Sequence, residues 1–164
     1  LKGKGFLRVI TLSMLACGIT VFIFFSAYEG RPVFQSSEIQ LPVEYKAVEN
    51  LTDLNLELSE SVNKRRPVLL EFYADWCVEC KRMESGTFLD AEVNRLLSNY
   101  SVVRVDITDN TKAHQEILDQ FSLFGPPALI FFSKSQPVEI DRRIGFVDSK
   151  QLIETLRFVL AEES

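Results

Sequence analysis

Between Arg8 and Glu29 the chain runs for 20 residues, Val9 through Tyr28, without a single charge. At about 1.5 Å per helical residue such a run reaches about 30 Å, the thickness of a bilayer's hydrocarbon core. This stretch constrains the chain more than any other, because a run this long and apolar is expected to span a membrane as a helix. A cleaved signal peptide fits less well, since apolar regions of signals run to about 7–15 residues. Leu15-Ala16-Cys17-Gly18 suggests a lipoprotein signal, but the chain stays apolar from Ile19 to Phe25, so Cys17 reads as a small apolar residue in lipid. A buried core helix is the remaining alternative.

The run also divides the charge. Residues 1–28 carry Lys2, Lys4 and Arg8 and no acid, +3. The whole chain of 164 residues has 18 basic and 23 acidic side chains, net −5, which leaves 15 basic and 23 acidic residues, or −8, after residue 28. Positive charge before the span puts the N-terminus in the cytoplasm and the remainder on the far side. In a bacterium the far side of the inner membrane is the periplasm, where disulfides persist. The acidic balance argues against nucleic-acid binding. Leu1 in place of an initiator Met is expected of a C-terminal piece of something longer.

Residues 29–45 read as a linker, with Gly30, Pro32, Ser36, Ser37 and Pro42 and no sustained period. From residue 46 the patterns alternate. Leu51, Leu54, Leu58 and Val62 have helical spacing over Leu51–Asn63. Val68-Leu69-Leu70-Glu71-Phe72-Tyr73, within Pro67–Ala74, reads as a buried strand. A helix is expected from near Cys77 through Met83, and Asp90 caps another over Ala91–Ser98. Strand Val102–Ile107, helix Lys112–Phe121, strands Ala128–Phe132 and Val138–Ile144, and helix Ser149–Ala161 follow. This order implies an α/β domain with a sheet covered by helices.

Cys77-Val78-Glu79-Cys80 stands where the strand gives way to the helix. C-x-x-C alone serves zinc or redox chemistry. Zinc needs about four ligands, and the other candidates are Cys17 in the apolar run and a single histidine, His114. A purely structural disulfide is the other reading, yet so short a loop gains little from closure. Reactivity has a physical basis: a helix N-terminus favours a thiolate at Cys77, and Cys80 lies one turn further in. Cys77 is then the attacking thiol, and Cys80 resolves the mixed disulfide.

Phe72-Tyr73-Ala74-Asp75-Trp76-Cys77-Val78-Glu79-Cys80-Lys81 resembles the thioredoxin active-site motif, and Gly125-Pro126-Pro127 resembles its cis-proline loop. With Thr87-Phe88, Val105-Asp106-Ile107-Thr108, Phe124-Gly125-Pro126-Pro127 and Gly145-Phe146-Val147-Asp148, the chain over about residues 40–162 resembles the C-terminal domain of the thiol:disulfide interchange protein DsbD family. The preceding span is similar to that family's last membrane helix. The resemblance implies a thioredoxin-like fold, a central mixed β-sheet flanked by helices, over residues 46–164, after one transmembrane helix within residues 1–28 and the 29–45 linker. It implies a reductive relay. A membrane-embedded redox domain, itself reduced by cytoplasmic thioredoxin, is the electron donor. Periplasmic thiol–disulfide proteins are the acceptors, with disulfide isomerase and cytochrome c maturation pathways downstream. It implies no flavin, nicotinamide or metal. An oxidase or isomerase on the same fold, and a non-enzymatic membrane-anchored binding module, remain open from C-x-x-C alone.

Further residues carry expectations. Glu71 stands six residues before Cys77, at the position of thioredoxin's buried acid, where Asp is more usual. On a buried strand its pKa should rise, and it could exchange a proton with Cys80; at an edge it would be merely solvated. Asp75 and Glu79 would oppose a thiolate at Cys77 if close to it, placing its pKa well above those of strong oxidants. Otherwise Glu79 is a solvated helix position. Pro127 should follow a cis peptide and offer a partner a short strand edge, with the Pro126 carbonyl available. Trp76 is expected to be exposed beside Cys77 in a docking surface, or else simply packed. His114 reads as a solvated helix residue, and Lys64-Arg65-Arg66 as a solvated loop.

Overall fold

A computed structural model describes residues 44–162. The expected span over Val9–Tyr28 and nearly all of the 29–45 linker lie outside the described residues. Among the described residues no helix is long and apolar enough to cross a membrane.

Five strands form one sheet in the order β1-β3-β2-β4-β5. They are β1 (Lys46–Ala47), β2 (Val68–Tyr73), β3 (Ser101–Asp106), β4 (Ala128–Phe132) and β5 (Glu139–Ile144). β1 and β2 each run parallel to β3, whereas β4 is antiparallel to β2 and to β5. The helices are α1 (Leu51–Asn63), α2 (Val78–Ser85), α3 (Ala91–Leu97), α4 (Lys112–Gln120) and α5 (Ser149–Glu162), with a 3₁₀ turn at Thr87–Leu89. This is the mixed sheet flanked by helices that the resemblance implies.

Every residue of β2 and β4 is buried, as continuous apolar runs at a sheet centre should be. Alternation then sends successive side chains to opposite layers. Val68, Leu70 and Phe72 join Leu54 and Leu58 of α1 and Ile117 and Leu118 of α4 in one core. Leu69, Leu129 and Phe131 join Met83 of α2, Val93 and Leu97 of α3, and Leu152, Leu156 and Val159 of α5 in the other. Glu71 falls by the same alternation on the second face, beneath α2.

Local chemistry sets the helix starts. Asn50 Oδ1 accepts the Thr52 and Asp53 N–H groups at 3.0 Å to cap α1. Asp90 caps α3 through the Glu92 and Val93 N–H groups. α4 corrects an expectation: His114 is buried, not solvated. It completes a capping box with Thr111, its Nδ1 accepting the Thr111 N–H at 3.3 Å while Thr111 Oγ1 accepts the His114 N–H at 3.2 Å. Its Nε2 lies 3.4 Å from Glu49 Oε2. Arg66 is likewise more than a loop residue, since it donates to the carbonyls of Ser98 and Tyr100 and ties the start of β2 to the end of α3. β1, with only two residues, gives no period that a sequence could show.

Candidate active site

Cys77 and Cys80 are joined as a disulfide at the end of the central strand. β2 ends at Tyr73, a short turn follows, and Cys77 is the N-cap of α2. Its Sγ accepts the Cys80 N–H at 3.1 Å. The reactive sulfur thus takes the place of the oxygen that usually caps a helix, where unpaired N–H groups and the helix dipole favour negative charge. Cys77 is 6% exposed and Cys80 1%, which leaves Cys77 as the sulfur an incoming thiol or disulfide can reach. Cleaved, this pair is a dithiol with Cys77 as its outer member and Cys80 as its inner one.

The turn before Cys77 is pinned from the loop that follows β3. The Asp75 N–H donates to Thr108 Oγ1 at 2.8 Å, and the Trp76 indole N–H donates to the Thr108 carbonyl at 3.3 Å. Trp76 is nevertheless 58% exposed. Tyr73 donates its hydroxyl to Asp75 at 2.9 Å, and Lys81 Nζ lies 3.9 Å from the same carboxylate oxygen. Glu79 pairs with Arg82 at 3.2 Å. Asp75 and Glu79 therefore have partners of their own on the exposed rim, which screen part of the repulsion expected at Cys77.

Across the site lies the proline loop. The Pro126–Pro127 peptide is cis. Pro127 has no N–H, and its carbonyl accepts the Gly145 N–H at 2.9 Å. The Pro127 carbonyl is therefore already used within the sheet. Gly125, at φ +156°, precedes it. Phe124, next in line, is fully exposed; the sequence named it only within the proline-loop motif, since a large apolar residue in a loop suggests packing.

Beneath α2 lies the buried acid. Glu71 is 2% exposed on the central strand, so the edge reading is set aside. Burial pushes its carboxyl up to about 7, against the opposing pull of Arg104. Arg104 Nε donates to Glu71 Oε2 at 2.9 Å and Nη1 to Glu84 Oε1 at 2.8 Å. Burial works against the Arg104 charge, and Glu71, Tyr45 and Glu84 together more than offset it, carrying its pKa upward. Neither Arg104 nor Glu84 was picked out from the sequence. The available signal was a lone cation inside the apolar strand Ser101–Asp106.

The family model described as thioredoxin-like matches residues 49–134, more than half of the chain. The chain belongs to the thioredoxin-like family. Within it, the similarity to one kind of protein is extensive. The thiol:disulfide interchange protein DsbD 1 of Pseudomonas aeruginosa is 36% identical over 127 residues, which is 77% of this chain and 22% of that protein. DsbD of Yersinia pestis (strain Pestoides F) is 32% identical over 154 residues, 93% of this chain and 25% of that protein. The chain thus spans a quarter or less of the length of these relatives. The crystal structure of the Neisseria meningitidis DsbD C-terminal domain in the oxidised form superposes with a TM-score of 0.61 at 28% identity, covering 70% of this chain and 99% of that one. A thioredoxin from Thermus thermophilus shares the fold, with a TM-score of 0.61 at 21% identity. The thioredoxin-like assignment fits the disulfide at the helix N-terminus, and among the described residues no cluster of three His, Cys, Asp or Glu could hold a metal.

Proposed function

We propose that this chain is a thiol:disulfide oxidoreductase working in the reducing direction, a relay that passes electrons by dithiol–disulfide exchange. The observation that carries this is the buried Cys77–Cys80 pair, with the Cys77 sulfur capping α2 and the more accessible of the two. Similarity to thiol:disulfide interchange proteins over most of the chain supports it. Cys77 attacks, Cys80 resolves, and Glu71 accepts the Cys80 proton. Asp75, Trp76, Glu79, Pro126 and Pro127 frame the reactive sulfur. The charge-free span over residues 9–28 would tether the domain to the bacterial inner membrane, with the N-terminus cytoplasmic and residues 46–164 periplasmic after a 29–45 linker. A membrane-embedded redox domain, drawing ultimately on cytoplasmic thioredoxin, would be the donor. Periplasmic thiol–disulfide proteins would be the acceptors, including those serving disulfide isomerisation and cytochrome c maturation.

The reduction potential tests the direction. Equilibration of the Cys77–Cys80 couple against glutathione should give a value well below that of a strong oxidant; a result near about −120 mV would overturn the reductase reading in favour of an oxidase.

Exposed Phe124 and Trp76, on either side of the disulfide in the chain, supply apolar contact for a protein partner. Aromatic anchors often contribute about 1–2 kcal/mol or more to docking, roughly tenfold in affinity. Phe124→Ala should therefore raise KM for a protein disulfide such as insulin about tenfold, with exchange against glutathione disulfide unchanged. Equal loss with both substrates would show that Phe124 shapes the site rather than docking a partner.

A further inference from the structure

The capping box of α4 has an unusual second member. Glu or Gln ordinarily fills that position and supplies an acceptor for the N-cap N–H. Here the acceptor is the imidazole of His114, which is 3% exposed. Its Nδ1 accepts the Thr111 N–H, so the neutral ring carries its proton on Nε2, 3.4 Å from Glu49 Oε2. A protonated ring has no acceptor left. It keeps Glu49 but turns a second N–H against the Thr111 N–H, at a helix N-terminus whose dipole opposes a cation. α4 has no acid in its first turn to offset that. One proton therefore exchanges the cap of α4 for an ion pair with Glu49.

The cap bears on the site because α4 lies between two parts of it. Before α4, the Asn110 N–H donates to the Ile107 carbonyl at 2.9 Å and closes a turn. Thr108 within that turn holds the Asp75 N–H and the Trp76 indole, and Thr111 follows it by three residues. After α4, the chain runs from Phe121 through exposed Phe124 to the cis Pro126–Pro127 peptide. The exposed aromatics Trp76 and Phe124 are thus anchored through the two ends of one helix.

We propose that His114 is a positioning residue for partner docking: its neutral ring fixes the start of α4 and, through Thr108, the Trp76 turn, and protonation of the ring releases both. This rests on the oxidoreductase reading above, with Trp76 and Phe124 as the docking surface. A peptide or protein disulfide uses that surface, whereas a small disulfide needs only the Cys77 sulfur. Glu49 faces the ring from the segment entering α1. Asp53, in the first turn of α1, is held by the Asn50 amide at 2.8 Å, and Asp106, at the end of β3, accepts the Thr108 N–H at 2.9 Å. Asp109, Lys112 and Glu116 lie on the loop and helix of His114 itself. β2 and β3 bring Leu70, Phe72, Val103 and Val105 to the core beneath α4.

The test compares wild type, H114Q and H114A in the full chain between pH 5 and pH 8, the range in which imidazole ordinarily changes charge. The first quantity read is the ratio of kcat/KM for vasopressin, a cyclic peptide disulfide, to that for glutathione disulfide. Titration of the cysteines and of Glu71 enters both rates and cancels. The second is the emission of Trp76, the only tryptophan in the chain, in the oxidised protein, where the cysteines do not titrate. The wild-type ratio should fall about threefold from pH 8 to pH 5, the loss of one cap contact, with a parallel change in emission. H114Q keeps an acceptor for the Thr111 N–H and should hold the wild-type pH 8 ratio throughout. H114A should show the lowered ratio at both ends. Should H114A not fold, wild type against H114Q decides alone. A ratio that falls alike in wild type and H114Q would overturn the proposal, and a loss in wild type with unchanged emission would overturn the route through Thr108. An emission change with a constant ratio would overturn the docking role. Failure of wild type to reduce either disulfide would overturn the oxidoreductase reading, and the emission, read without turnover, would still decide whether His114 moves the turn.

Discussion

Cys80→Ser should turn the chain from a turnover catalyst into a covalent trap. Cys77 keeps its place at the N-terminus of α2 and still attacks, but the sulfur that would release the partner is gone. A partner disulfide should accumulate as an adduct on a non-reducing gel and disappear on adding dithiothreitol, with turnover falling to the uncatalysed rate. Cys77→Ser should give neither adduct nor turnover, because Cys80 is 1% exposed and out of reach of a protein disulfide. Trapping by Cys77→Ser and not by Cys80→Ser would reverse the two roles. Recovery of the adduct from envelope extracts also identifies the acceptor by its captured cysteine.

Glu71→Gln should slow resolution by about 100-fold at neutral pH and above, at the lower end of what a positioned base contributes. Glutamine keeps the shape and an oxygen for the Arg104 N–H, but it takes no proton. First attack by Cys77 should be nearly unchanged, so the loss should fall on the second phase of thiol release alone. The same substitution has a second signature in stability. The Glu71 carboxyl moves from 4.5 to about 7 on folding. It binds a proton more tightly in the folded state, so its favourable contribution is complete below about pH 4.5 and is lost as pH rises through 7. Wild type should therefore lose stability relative to Glu71→Gln between pH 5 and pH 8, by up to a few kcal/mol at about 1.4 kcal/mol per unit. Urea unfolding at the two pH values measures this, and parallel stability curves would show that the buried carboxyl is not the titrating group.

What the sequence revealed and what it concealed divide along physical lines. The reactive pair was legible because its chemistry is local: two thiols three residues apart, at the change from an apolar run to a helical period. β2 and the larger helices were legible from periodicity, and element boundaries shifted by a residue or two at α2, α3, α4, α5, β3 and β5. The burial of Glu71 was expected from its apolar neighbours, but its partner was not. Arg104 stands 33 residues later and reaches Glu71 only through the parallel register of β2 and β3. His114 was read as solvated although Ile117 and Leu118 follow at three and four residues, a spacing that places it on the buried face. Phe124 entered only as part of the Phe124-Gly125-Pro126-Pro127 motif, with no surface role, because apolar residues are expected inside, and only its full exposure before the cis peptide shows otherwise.

A helix end normally loses its cap when the capping side chain is spent on chemistry. Here the Cys77 sulfur accepts the Cys80 N–H while it is bonded to Cys80, and a thiolate at the same point would accept it more strongly. Oxidised and reduced forms can therefore share one backbone, with no amide orphaned on passing between them. The proposed relay would need this, because it would be recognised in one state by its donor and in the other by its acceptor. The surface that carries electrons in can then be the surface that carries them out, and donor and acceptor are expected to take turns on it rather than bind together.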